Sequence, residues 1–360
     1  MSDNPKEAEK EMAKAIFISA DCWLCVFDLL EPSQLGLGIS MISRRFDYYV
    51  DEHFKTRKWA FKSILIRGKI AKNGSKQMEI VEYFDRKPLL IPQNPLPRKV
   101  IGFKRIYISY IDQNAIAFLQ RFRQLFAANQ INLVFNTKSD RISAFVLHNI
   151  CPMIAKNIHD LIMTDTTFRH LRKLVPSILN DFQSLRVVSI YYNDFIELPA
   201  DDSANASNGQ ALAKWLFTAL QNDVPKVLKC YLNTKMDKGI LASRIEAFKA
   251  AFASASFPAN FIVVIWYQFT FSDFVPFDQT NELTREQFAL KRTDYSYRLL
   301  LIRCPIARDE SKWTKWEKEA INWRMEKPWW NRIDFEIYSE DNIGDGLLNT
   351  TPGPSDQQQT

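Results

Sequence analysis

The sequence predicts an α/β chain: a small helical module, then a β-hairpin, then an irregular succession of strands and helices. Three observations carry this. Apolar residues between Ser19 and Trp59 recur at helical spacing, broken at Glu31-Pro32-Ser33. Asn73-Gly74 stands between two apolar runs, Ile64–Ile66 and Met78–Val81, and Asn-Gly is a strong hairpin signal. Beyond prolines 88, 92, 95 and 97, strand-like runs begin at Arg105, Ile131, Ile158 and Leu185, spaced 26, 27 and 27 residues apart.

The N-terminal stretch 1–17 is dense in Lys and Glu and is expected to be disordered. In the helical module, 18–60, Ser19 is placed to cap the first helix, with Asp21 in its first turn facing the positive end of the dipole. Pro32 ends that helix and opens the next, because proline is tolerated only near a helix start. Leu35, Leu37, Ile39, Ile42, Phe46 and Tyr49 continue the apolar pattern, and a shorter segment runs from Val50 to Trp59.

Residues 61–103 hold the hairpin and a stiff proline linker. From Lys62 to Arg105 there are 11 basic and 3 acidic residues, whereas residues 1–60 carry 8 basic and 10 acidic. Such a basic stretch is expected to be a solvated surface, with attraction to nucleic acid as the alternative.

In residues 104–343, helices are expected over Asn114–Ala128, Asp140–Asn149 and Phe168–Asn180, between the first four strands. A strand-helix unit of 26–27 residues has the period of leucine-rich repeats, although the residue signature is loose. Later strands are expected near Val227, Phe261, Tyr297 and Ile333, with helices at Gln210–Leu220, Arg244–Ala255 and Glu310–Trp323. Phe288–Lys291 and Tyr297–Ile302 lie close enough in sequence to form an antiparallel edge. The tail from Gly344 to Thr360 is poor in apolar residues and is expected to be disordered.

Chemistry-bearing patterns are few. Cys22-Trp23-Leu24-Cys25 lacks the second pair that a structural zinc site needs, and no strand precedes it as in redox folds. Cys22 is expected to pack as a small apolar residue, with Cys25 on the outer face. There is no Gly-rich phosphate loop, no GxSxG and no HExxH. His148, His159 and His170 recur at spacing 11, and Asp201-Asp202 has no third carboxylate nearby. No catalytic residue, metal or cofactor is expected, and an enzyme is the least supported class. Five of nine tryptophans fall between Trp313 and Trp330, and Trp313, Trp316 and Trp323 share a helix face expected to close a core. No run of about 18 apolar residues is present, the N-terminus has no h-region, and five scattered cysteines make no disulfide framework. The expected compartment is the reducing cytoplasm or nucleus.

The stretch Ile18–Trp59 resembles the F-box, the helical module that docks on the Skp adaptor of cullin-based ubiquitin ligases. Ile18 and Ser19 stand where the motif has Leu-Pro. Trp23, Leu24, Val26, Phe27, Leu29 and Leu30 fill its first apolar helix, and Glu31-Pro32-Ser33-Gln34-Leu35 matches its turn. Ile42-Ser43-Arg44-Arg45-Phe46 matches its Val-Ser-Arg-Arg core. The wider layout is similar to the expanded F-box-like families of nematodes. The resemblance implies that the chain is a substrate-recognition adaptor of a Skp-cullin-F-box ligase. Ile18, Val26, Leu30, Pro32, Leu35, Ile42, Ser43 and Phe46 would meet the Skp subunit, and the repeat domain would hold a target protein. A scaffold whose F-box has lost its partner is the alternative, motivated by the missing Leu-Pro. Strand alternation places Tyr107, Ser109, Asn132, Val134, Ile162, Thr164, Ser189, Tyr191, Tyr231 and Asn233 away from the core, as candidate target-binding residues.

Overall fold

A computed structural model describes residues 18–30, 32–55, 59–89, 100–220, 224–233, 237–267, 274–294, 297–321 and 331–349. The chain divides into two compact units, residues 1–61 with 89–101, and residues 62–88 with 102–360. The expected disordered N-terminus and prolines 92, 95 and 97 lie outside the described residues, as do Trp323, Trp329 and Trp330.

The first unit holds α1 (Ala20–Phe27), α2 (Pro32–Leu37), a 3-10 turn (Ile39–Met41) and α3 (Arg44–Lys55). Ser19 is extended, and its hydroxyl accepts from Cys22 N–H, so the predicted cap forms; such a cap is worth about 1 kcal/mol. Phe27, Leu35, Val50 and Phe54 are buried and make the small core. Cys22 corrects the expectation made for it: its thiol is exposed, like that of Cys25. The helix turns its Phe27 side inward, and both cysteines fall off that stripe.

The second unit is built on a mixed sheet of twelve strands in the order β2-β1-β3-β12-β4-β5-β6-β7-β8-β11-β10-β9. The hairpin is β1 (Trp59–Ile70) and β2 (Lys76–Glu82), antiparallel with Ile66 opposite Ile80. Gly74 sits at φ +80°, a conformation that a side chain would strain, and its N–H closes the turn onto Ala71. Then follow β3 (Val100–Ile108), β4 (Ile131–Thr137), β5 (Ile158–Thr164), β6 (Val187–Asn193), β7 (Lys226–Leu232) and β8 (Phe261–Trp266). From β4 to β8 the strands are parallel and adjacent in sequence order. Right-handed crossovers taken repeatedly in one direction put the connecting helices on one face.

Those helices are α4 (Gln113–Arg121), α5 (Arg123–Ala128), α6 (Asp140–Asn149), α7 (Asp165–Leu174), α8 (Ile178–Asp181), α9 (Asn208–Phe217) and α10 (Lys238–Ala253). The helix expected at Asn114–Ala128 is broken at Phe122. The one expected at Phe168–Asn180 starts earlier and is interrupted at Pro176, which cannot continue a helix. Leu133, Leu161, Met163, Val188, Ile190, Leu228 and Val263 are buried, and Phe217 and Phe252 of the helices reach Phe261 and Phe288 of the sheet.

The regular repeat stops at β8. β9 (Phe277–Asn281), β10 (Glu286–Arg292) and β11 (Arg298–Pro305) form the antiparallel edge. β10 and β11 were legible in sequence, whereas β9, with its polar Asp-Gln-Thr-Asn run, was not. After α11 (Glu310–Ile321), β12 (Arg332–Ile337) does not extend the series. It enters between β3 and β4, parallel to both. α11 packs on the second face of the sheet, where Trp313 and Ala320 join Val227, Ile262, Val264, Leu300, Ile302 and Cys304, with Trp316 alongside. Residues 344–349 form a turn and a short 3-10 segment with Leu347 buried, and Gly344 N–H donates to Ile111 O at 2.7 Å. A Cβ on Gly344 would collide with the Tyr110 hydroxyl. The low apolar content of this stretch concealed that packing.

Candidate functional site

In the first unit the apolar residues divide into two sets. Phe27, Leu35, Val50 and Phe54 face inward, while Ile18, Val26, Leu29, Met41, Ile42 and Tyr48 are exposed. Leu29 is 85% exposed and Ile42 63%. Trp23 meets Phe46 edge-on at 4.8 Å, tying α1 to α3, and Arg45 reaches back to the Ile18 carbonyl at 3.2 Å. Of the residues predicted to meet an adaptor, Ile18, Val26, Ile42 and Ser43 are exposed, and Leu30 and Phe46 are half-buried. Leu35 is only 1% exposed and therefore packs the unit rather than facing a partner. The side chain of Pro32 lies outside the described residues. Leu29, Met41 and Tyr48 were missed as surface candidates; for Leu29 the signal was its position off the Phe27 stripe.

In the second unit, strand register brings the predicted target-binding residues into rows on the face opposite the α4–α10 helices. One row runs Tyr107, Asp334, Val134, Ile162, Ser189. The next joins Thr164, Tyr191, Tyr231 and Trp266. Asn132 stands beside Arg332 and Asp160. Val134 and Ser189 are 3% and 2% exposed, so neither offers a contact surface. Ser109 spends its N–H and hydroxyl on the Ile66 carbonyl, and Asn233 N–H bonds to Asn193 O. These two hold the sheet together.

The aromatic members form a ladder. Tyr191 and Tyr231 stack at 4.4 Å and 16°, and Tyr231 and Trp266 at 5.2 Å and 22°. The Arg298 guanidinium lies 3.6 Å from the Trp266 ring centroid, capping that end. Side chains at one height on neighbouring parallel strands are about 4.8 Å apart, which is stacking distance. Both faces of the Tyr231 ring are thus spent on its neighbours, and the Tyr231 hydroxyl and the Trp266 Nε1 are buried. Bases stacked on aromatic side chains need free ring faces, and Tyr231, with a ring on either side, offers none. Tyr192 next to it is 66% exposed and has φ +61°, at a register shift between Tyr191 and Asn193. Such a bulge re-aims a side chain.

Where β3 meets β12, the buried Asp334 carboxylate accepts from Arg332 Nε at 2.6 Å and Nη2 at 3.0 Å, and also from Arg105 Nη2. The Arg105 guanidinium lies 5.1 and 5.2 Å from the ring centroids of Tyr83 and Tyr107, which meet each other at 5.5 Å. The Tyr107 hydroxyl donates to Glu336, and burial with that carboxylate pushes its ionisation far above the ordinary tyrosine range.

A cavity of about 350 Å³ opens at the carboxyl ends of β5 and β6, lined by Asp165, Asn193, Glu197, Asn208 and Arg244 among others. Its cations are committed internally. Arg172 donates to the carbonyls of Ser203 and Ala206, each at 2.7 Å, and Arg244 to those of Asp194 and Phe195. The cavity thus reads as loop anchoring. The histidines also serve locally: His148 Nδ1 is 2.7 Å from Ala144 O, and His159 Nδ1 2.6 Å from Asp160. Asp201 accepts from Ser203, and Asp202 from Asn180. Among the described residues, no group of three His, Cys, Asp or Glu side chains stands ready to hold a metal, and no helix is long and apolar enough to cross a membrane.

No protein-family model, curated protein or solved structure matches this chain.

Proposed function

We propose that the chain is the substrate-recognition subunit of a Skp-cullin-F-box ubiquitin ligase, with the 18–60 helices docking on the Skp adaptor and the sheet domain holding a target protein. The carrying observation is the set of exposed apolar side chains, Ile18, Val26, Leu29 and Ile42, on and beside helices whose inner face is already packed. A module of some forty residues exposing this much apolar surface calls for a partner. The target would be held near the thioester of a partner enzyme, so that the chain supplies proximity rather than catalytic groups. The target surface is the strand face bearing Tyr191, Tyr231, Thr164, Ile162 and Tyr107. Its irregular repeat, with five sequential parallel strands, is what remains of the leucine-rich-repeat-like reading.

Co-expression of the full chain with a Skp-type subunit tests this. The wild type should co-purify, and Val26→Asp with Ile42→Asp should abolish capture while leaving the fold intact, since both positions are exposed. Capture by the double variant at wild-type level defeats the reading. The second reading is an interaction scaffold with a degenerate F-box. It draws on Ser19, which stands in place of the motif's proline and spends its hydroxyl capping α1. Recovery of both adaptor and cullin with the wild type excludes it.

A further inference from the structure

The sheet domain holds a further cavity, at the end where β7 and β8 begin and β11 finishes. It measures about 460 Å³, within the range of about 300–1,000 Å³ that small-molecule sites occupy. Its apolar walls are Leu220 and Val224 after α9, Pro258 before β8, Pro305 at the end of β11, and Trp313 and Trp316 in the first turns of α11. Trp313 is buried and Trp316 half-buried, and the two indoles meet edge-on at 5.5 Å and 78°. Ala219, Ala307, Asp309 and Lys312 are exposed and form the mouth.

The charged side chains on this wall, Glu286, Arg308, Asp309 and Lys312, are satisfied within the chain. The buried Glu286 carboxylate accepts from Ala259 N–H at 2.8 Å and from Arg303 Nε and Nη2 at 3.0 and 2.6 Å. Arg308 Nε and Nη2 donate to the two Glu310 oxygens at 2.8 and 3.0 Å, and its Nη1 lies 3.4 Å from Glu317. Asp309 and Lys312 pair at 3.5 Å. A guanidinium already stands by each indole, Arg308 at 5.2 Å from the Trp313 centroid and Arg186 at 5.8 Å from that of Trp316, so a cation entering here meets like charge. An anion would give up its hydration for cations that are already paired. The wall thus suits a ligand without charge.

We propose that this cavity is a binding site for an uncharged, flat aromatic molecule, its rings held by Trp313, Trp316, Leu220 and Val224. Flat rings pack against indoles in offset or edge-on arrangements, and the apolar surface that leaves water on entry drives binding. A polar substituent on the ligand stays at the mouth, beside water and the Asp309–Lys312 pair. The site shares no residue with the strand face assigned to a target protein, nor with the cavity at the carboxyl ends of β5 and β6. Occupancy clasps the first turns of α11 to the ends of β8 and β11, so it stabilises the folded chain by mass action.

The test titrates the full chain with N-phenylnaphthylamine, an uncharged aromatic amine whose emission rises in an apolar site. Anilinonaphthalene sulfonate, the same ring skeleton carrying a negative charge, is the comparison. The wild type should take up one equivalent of the neutral probe, show energy transfer from indole to probe, and unfold at a higher temperature when loaded. It should bind the sulfonate about tenfold more weakly. Ala219→Trp and Ala307→Trp, at exposed positions of the mouth, narrow the entrance and should each weaken binding by about tenfold. Ala204→Trp, exposed at the carboxyl-end cavity, should leave binding unchanged. Absence of saturable binding, or sulfonate bound as tightly as the neutral probe, overturns the proposal. So do mouth variants that bind like the wild type, and so does an Ala204→Trp variant as impaired as they are.

Discussion

The Lys226 ammonium lies 2.5 Å from the backbone carbonyl of Trp215 and 4.8 Å from the centroid of the same residue's indole. It is buried, no ion pair to it is found among the described residues, and that burial brings its pKa down from 10.5 to about 8. Below pH 8 both folded and unfolded chains hold the proton, and the folded chain bears the full cost of a buried charge. Between pH 8 and 10.5 the unfolded chain binds more protons, so this group's contribution to stability rises, by about 3 kcal/mol over the window. Buried thiols act in the opposite sense: burial pushes Cys151 and Cys230 up to about 12, and that term falls as pH rises past their ordinary range. The measurable quantity is therefore a difference. Lys226→Met should be more stable than wild type in urea melts at pH 7, and the gap should close toward pH 10. A constant gap would mean that Lys226 is not held at a lowered pKa.

How much of this arrangement the sequence discloses depends on what each residue does. α6 matches its expected span, Asp140–Asn149, because Ser139 caps it and its apolar stripe is unbroken. β4, β5 and β8 begin where continuous apolar runs begin, at Ile131, Ile158 and Phe261. The insertion of β12 between β3 and β4 was hidden, since Arg-Ile-Asp-Phe-Glu-Ile alternates like any half-buried strand and nothing local states its neighbours. What decides its place is long-range: Asp334 meets Arg105 only after some 230 residues of chain have folded. On the candidate surfaces, strand register puts Tyr107, Ile162, Tyr191 and Tyr231 on one face of the sheet, as alternation reads them. It did not anticipate that Val134 and Ser189 are buried on that face, or that α11 covers its far end.

The Asp334 carboxylate is the joint between β3 and the last strand, β12. Three guanidinium nitrogens from two strands converge on it, and it has no access to solvent. Replacing it by Ala leaves Arg105 and Arg332 half-buried without their carboxylate, a loss of about 3–5 kcal/mol. Asp334→Ala should accordingly lower the unfolding midpoint, and amide protection should be lost first in β12 and β3. Uniform loss across the sheet would show that the ion pair does not act as this joint.

Leu35 and Leu29 have opposite expected behaviours despite sharing a helical module. Leu35→Ala empties a packed site and should cost about 2–5 kcal/mol, melting the N-terminal unit. Leu29→Ala changes an exposed position, so stability should move by no more than about 0.5 kcal/mol. If the proposed docking is right, Leu29→Ala nonetheless weakens Skp-type capture. Limited proteolysis and pull-down on the same two variants separate the effects, and equal stability loss for both would contradict the division into inner and outer faces.

The ladder gives a pairwise energy that can be isolated. Tyr231 stacks on both neighbours, with Tyr191 on one side and Trp266 on the other. A well-oriented aromatic pair contributes about 0.5–1.5 kcal/mol beyond its buried area. A double-mutant cycle of Tyr191→Ala and Tyr231→Ala should therefore show a coupling of that size, read from denaturant unfolding. Tyr191 and Trp266 are separated by the Tyr231 ring, so their cycle should show less than half as much. When Tyr231→Ala is made first, that residual coupling should vanish, because the stack is broken at its middle rung. Coupling between Tyr191 and Trp266 that survives the loss of Tyr231 would place the contact outside the ladder and remove the reason for treating these rings as one surface.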